Sequence, residues 1–143
     1  MRSYGLYIRA CPGVTNPTDL KAGIFALDKA RARLGTYQQA VGPVYTEKFL
    51  QVWLGKETHI REAEKQIKRH FKDRIASLEA GLSEWVSDVS MEEMLEFIRE
   101  LESAYFIKFT KAPDTLLPVT MNNYEDLQEW WEVSQEDDNS VDE

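Results

Sequence analysis

Glu64 stands four residues after Ile60 and three before Ile67, so on a helix its carboxylate shares the stripe that faces the rest of the fold. A carboxylate on an apolar face is costly unless something satisfies it. A divalent cation would do so, because Mg²⁺ or Mn²⁺ favours carboxylate and water oxygens and a phosphate can complete its shell. Lys68, four residues on, offers an ordinary ion pair instead. Arg31 and Arg33 lie two apart on the preceding predicted helix and cannot share one face; Lys29 adds to the cationic character there. A guanidinium matches two phosphate oxygens, which makes either arginine a candidate phosphate ligand, with a solvated face as the plain alternative. Tyr4 and Tyr7 flank Gly5 on a predicted strand and point to opposite sides. Strand tyrosines are mostly core, and one acts as a base only where a neighbour holds its proton loosely. His59 and His70 are eleven apart, both off the apolar stripe, so they form no two-histidine metal spacing and read as solvated. Cys11 stands in a predicted loop with nothing to activate it.

The elements that must carry these groups follow from periodicity. Residues 4–10 are rich in β-formers and end at Cys11-Pro12-Gly13; residues 20–25 read as a second strand after a turn-prone loop. Asp28 is placed to cap a helix with Ala30, Leu34 and Tyr37 on one side, ending at Gly42-Pro43 and weakened by Gly35. Phe49 to Leu54 is apolar at nearly every position, as expected of a strand covered on both faces in the middle of a sheet. Ile60, Ala63, Ile67, Phe71, Ile75 and Leu78 predict a long helix from about Lys56 to Leu78. Ser90-Met91-Glu92-Glu93 is a capping box opening another helix through Met94, Phe97, Ile98, Leu101 and Tyr105. The expected class is α/β: a small three-stranded antiparallel sheet layered with helices. A C-terminal helix and an acidic tail follow, and residues 136–143 are expected to be disordered.

At 143 residues with 43% apolar and 29% charged side chains, the chain has room for one domain and the composition of a globular protein. No apolar run nears the roughly 18 residues of a membrane helix, and the N-terminus lacks the apolar core of a secretion signal. A single cysteine excludes an internal disulfide and a cysteine-rich zinc site. These features predict a cytoplasmic protein without a membrane partner. The net charge of −8 is an average of unlike parts. Residues 1–75 carry +7, residues 76–120 carry −6 and residues 121–143 carry −9, so the first half is basic enough for a nucleic-acid partner.

Taken in order, Gly5-Leu6-Tyr7, Lys21-Ala22-Gly23, Arg31-Ala32-Arg33-Leu34, Ala63-Glu64-Lys65-Gln66-Ile67-Lys68 before Phe71, and Glu84-Trp85 resemble the GIY-YIG nuclease family. The nearest branch is the phage and viral one, whose second motif begins with Lys. The resemblance spans about residues 4–105 and implies a nuclease domain over residues 1–110, with residues 111–143 as an acidic extension. It implies a DNA endonuclease, a hydrolase using one Mg²⁺ or Mn²⁺, in a bacterial or virus-infected cell. Tyr7 matches the tyrosine that serves as general base or orients the attacking water, and Lys21 replaces the second tyrosine, where its charge would lower the first one's pKa. Arg33, with Arg31 as the alternative, matches the phosphate-stabilising arginine, and Glu64 the metal ligand. Leu6 and Ala22 replace the usual isoleucines, and the family's late asparagine has no clear counterpart.

Three functional readings follow. The first is the metal-dependent endonuclease. The second is a nuclease-like module that holds DNA or protein without cutting. The third starts from residues 121–143, which would mimic a nucleic-acid backbone over the basic surface or dock on a protein partner, with a solubilising tail as the alternative. DNA specificity would come from a loop such as residues 12–19, from dimerisation, or from a partner.

Overall fold

The computed structural model describes residues 2–10, 17–41, 48–77, 84–104 and 107–141, and of these the side chains of 36–41, 76–77, 84 and 136–141 are left aside. The elements in chain order are β1 (Ser3–Ala10), β2 (Leu20–Ala26), α1 (Ala30–Val41), β3 (Gln51–Lys56), α2 (Glu57–His70), β4 (Ile75–Ser77), β5 (Glu84–Val86), α3 (Met91–Glu102), β6 (Phe109–Lys111) and α4 (Tyr124–Val141). The class is α/β, as expected, with an antiparallel sheet of strand order β4-β5-β2-β1-β3-β6. The three expected strands form its interior. Three more, each only three residues long, extend it on both sides. Strands that short leave too little alternation to read from sequence.

β1, not the Phe49–Leu54 run, holds the centre with β2. It pairs with β2 from Tyr4↔Ala26 to Ala10↔Leu20 and with β3 from Ser3↔Lys56 to Ile8↔Gln51. β3 begins two residues later than expected, and Phe49 makes an isolated bridge to Val119. Alternation along β1 splits the core in two. Leu6, Ile8 and Ala10 join Leu20, Ala22 and Trp53 against Ile60, Ala63 and Ile67 of α2 and Met94 and Ile98 of α3. Tyr7 joins Phe25, Val52 and Leu54 against Leu34 of α1 and Leu127 and Trp131 of α4. Helices thus cover both faces of the central strands, and six consecutive residues of β1, Gly5 to Ala10, are buried.

Three helix ends differ in detail from expectation, each through a tertiary contact. Asp28 lies inside a 3₁₀ turn over Leu27–Lys29 that precedes α1, and its carboxylate accepts from Arg2 Nε at 3.0 Å. α2 stops at His70, and Ile75, which continues its apolar spacing, belongs to β4. Arg74 secures this turn: its guanidinium lies 4.9 Å from the Phe71 ring centroid, donates to the Asp88 carbonyl at 2.9 Å and forks onto Glu93 at 2.7 and 3.1 Å. The Ser90 hydroxyl accepts from the Glu93 N–H at 3.0 Å as expected, but the Glu93 carboxylate turns to Arg74 instead of completing the box.

The disorder expected from residue 136 onward is not what the fold shows over 136–141: α4 continues to Val141, because its earlier turns are anchored on the domain through Leu127 and Trp131. Trp131 Nε1 donates to Ser3 Oγ at 2.8 Å, and Gln128 Nε2 donates to the Leu27 carbonyl at 2.9 Å. Among the described residues, no helix is long and apolar enough to cross a membrane.

Candidate functional site

The first two motifs meet in the β1–β2 pairing, where Tyr7 stands opposite Gly23. The Tyr7 ring stacks on Phe49, with centroids 4.3 Å apart and planes 13° from parallel, and its other end crosses β2 over Gly23. A Cβ at residue 23 would lie 2.3 Å from Tyr7 Oη and 2.4 Å from Cζ, so a side chain there cannot coexist with the phenol. The glycine of Lys21-Ala22-Gly23 is therefore what lets the tyrosine of Gly5-Leu6-Tyr7 reach across the strand. Lys21 is half-buried, two residues before Gly23 and on the same face, paired with Arg9. Arg9 is itself buried, with its guanidinium 5.3 Å from the Trp85 ring centroid, which brings the Glu84-Trp85 dipeptide beside the start of β2.

Beyond Leu20, which pairs with Val86, β2 has no strand on its outer side among the described residues. A cleft of about 430 Å³ opens at this edge, lined by Tyr4, Ile24, Phe25 and Ala26 of the sheet, Lys29, Ala32 and Arg33 from the α1 side and Arg61 of α2. It joins the two layers of helices. Arg33 lines it; Arg31 is exposed and does not, as their spacing of two requires. Glu64 follows Arg61 by three residues on α2 but does not itself line the cleft. The buried stripe of α2 is Ile60, Ala63 and Ile67, and Glu64 flanks it with 21% of its side chain exposed. The i,i+4 pairing with Lys68 is present but long, 3.9 Å from Nζ to Oε2.

Tyr7, Lys21 and Arg33 thus belong to the α1 side of the sheet and Glu64 to the α2 side. Tyr7 has no exposed surface. Of the other singled-out residues, Tyr4 faces α2, opposite Tyr7, as their spacing requires. His59 accepts the Lys108 backbone N–H at 3.2 Å, and His70 is exposed, as expected, while one ring face stacks on Phe97 with centroids 4.0 Å apart. Cys11, like the 12–19 loop up to Asn16, lies outside the described residues.

The cleft lining holds three cations and no carboxylate. Arg61 Nε donates to Glu57 Oε2 at 2.7 Å, and this bond, opposed by partial desolvation, holds the guanidinium above its ordinary pKa. Among the described residues, no three His, Cys, Asp or Glu side chains converge as a metal cage. Glu64 fits a metal in a different way, as a single, partly buried anchor whose nearest cation is held loosely; a hard cation would complete its shell with water and phosphate oxygens. Tyr4, Lys29 and Arg61 were not among the residues singled out from sequence for phosphate or metal. The spacing Lys29–Arg33 carries a signal, but only the fold brings Lys29, Arg33 and Arg61 to one cleft. No family model, curated protein or solved structure matches the chain.

Proposed function

We propose that the protein is a divalent-metal-dependent DNA endonuclease of the GIY-YIG type, hydrolysing phosphodiester bonds at the open edge of β2. The observation that carries the reading is the fit of Tyr7 over Gly23, two motif residues adjacent only through the strand pairing, beside a cleft lined by Lys29, Arg33 and Arg61. In this reading Arg33 neutralises charge on the scissile phosphate, in the way that preorganised cations favour a transition state over a ground state. Lys21 favours the phenolate of Tyr7 by its charge, and Tyr7 orients or deprotonates the attacking water. Glu64 holds the metal, which when bound polarises the phosphate and stabilises the leaving oxygen.

The test is nicking of supercoiled plasmid with Mg²⁺ or Mn²⁺. Cutting by the wild-type protein that is lost in Glu64→Ala, with weaker metal binding by calorimetry, supports the reading. A purified protein inert on several DNA forms, together with unchanged metal binding in Glu64→Ala, refutes it.

A second reading is favoured by the complete burial of Tyr7. A phenol that no water reaches cannot act as a base while the domain stays closed, and the protein would then hold DNA without cutting it. Salt-dependent DNA binding without nicking under any metal would identify this case.

A further inference from the structure

Arg61 and Lys29 lie in different layers of the fold, yet both line the cleft at the β2 edge with Arg33. We infer that Lys29 and Arg61 form a subsite for the sugar-phosphate backbone of the DNA strand, next to the site of the scissile bond. The inference rests on the nuclease reading, and it adds residues that the motifs do not contain.

Three features define what the subsite takes. Its charge is that of an anion site, because its lining has three cations and no acid, and Glu57, which lies outside the lining, meets Arg61 at Nε. Its size, about 430 Å³, falls in the range of roughly 300–1,000 Å³ typical of small-ligand clefts, enough for a phosphodiester group with its sugar. Its two aromatic groups are already engaged: Phe25 is buried against Tyr7 and Phe49, and the guanidinium carbons of Arg2 and Arg61 lie 5.9 and 5.6 Å from the Tyr4 ring centroid. A nucleobase stacking on Tyr4 would have to displace a cation–π contact. The cleft therefore recognises charge rather than a base, and positions the strand without reading its sequence.

The ring also serves the arginine. Tyr4 and Glu57 together hold the Arg61 guanidinium on the cleft side of α2, so little side-chain freedom is lost when a phosphate binds.

The test is fluorescence anisotropy of a labelled duplex with metal chelated, so that binding is read apart from cutting, across a salt series. Lys29→Ala/Arg61→Gln is expected to bind about tenfold more weakly, with the slope of log affinity against log salt reduced by about 2, equally on unrelated sequences. A matched loss of DNA affinity and an unchanged melting temperature confirm the subsite. Wild-type binding and nicking with an unchanged slope in the double variant overturns this inference alone. Failure of the wild-type protein to bind DNA even at low salt overturns it together with the nuclease reading.

Discussion

Replacing Gly23 with alanine puts one methyl group where the Tyr7 phenol already lies, 2.3 Å from Oη, 2.4 Å from Cζ and 2.8 Å from Cε2. The ring cannot step aside easily. It has no exposed surface, stacks on Phe49 at 4.3 Å and meets Phe25 with centroids 6.2 Å apart. Overpacking of this kind costs about 1–3 kcal/mol, and the tight surroundings put Gly23→Ala near 3. Loss of glycine's extra unfolded-state freedom returns about 0.5–1 kcal/mol, leaving a net loss near 2 kcal/mol. Urea unfolding would read this directly, and Tm should fall by roughly 4–8 °C. The decisive measurement is a double-mutant cycle with Tyr7→Leu, whose shorter side chain leaves the space over residue 23 open. In that background Gly23→Ala should be neutral or slightly stabilising, a coupling of about 2 kcal/mol. An equal cost in both backgrounds would refute the claim that this glycine exists to admit the phenol. Gly35→Ala in α1 is the contrast: nothing lies within 4 Å of its Cβ position, so helix propensity alone should raise stability by about 0.5–1 kcal/mol.

Other outcomes follow from the same geometry. Arg33→Ala should lower nicking about 10²–10³-fold, as loss of a transition-state charge partner does, while Arg31→Ala, outside the cleft, should leave the rate within about threefold; comparable losses would mean that the cleft is not the site. Trp131→Ala should destabilise by about 3–5 kcal/mol in urea unfolding, because the buried indole packs against the Tyr7 side of the core and donates to Ser3. Removal of residues 124–143 should therefore expose apolar surface and unfold or aggregate the protein; a well-folded truncated chain of unchanged stability would contradict the packing of α4. The hydrogen bond from Arg74, opposed by partial desolvation, holds the Glu93 carboxyl below its ordinary value of 4.5. A carboxyl depressed in the folded state contributes stability that is full above its unfolded value and is lost as pH falls through the folded one. Thermal melts below pH 4.5 should therefore show Glu93→Gln losing less stability with acid than the wild type.

Charge segregation, the central strands and the three N-terminal helices were legible in the sequence because each rests on local pattern. β1 and β2 alternate or run apolar, α2 repeats at helical spacing, and Ser90 stands three residues before Glu93. The end of α2 was not legible: Ile75 keeps the helical spacing, and neither glycine nor proline marks the stop, which Arg74 sets through contacts with Asp88 and Glu93. A C-terminal helix was expected, but its reach to Val141 and its packing through Leu127 and Trp131 were hidden, since its acidic composition reads as a tail. The opposite orientations of Tyr4 and Tyr7, and of Arg31 and Arg33, were fixed by strand and helix periods before any fold was known. Tertiary structure alone decided that Tyr7 is sealed beneath α1 and α4 while Glu64 rides on the other layer. It also decided that Lys29, Arg33 and Arg61 share one cleft. Backbone periods determine which side of its own element a residue takes, whereas the meeting of two elements depends on the strand pairing and on how far β5 extends along β2.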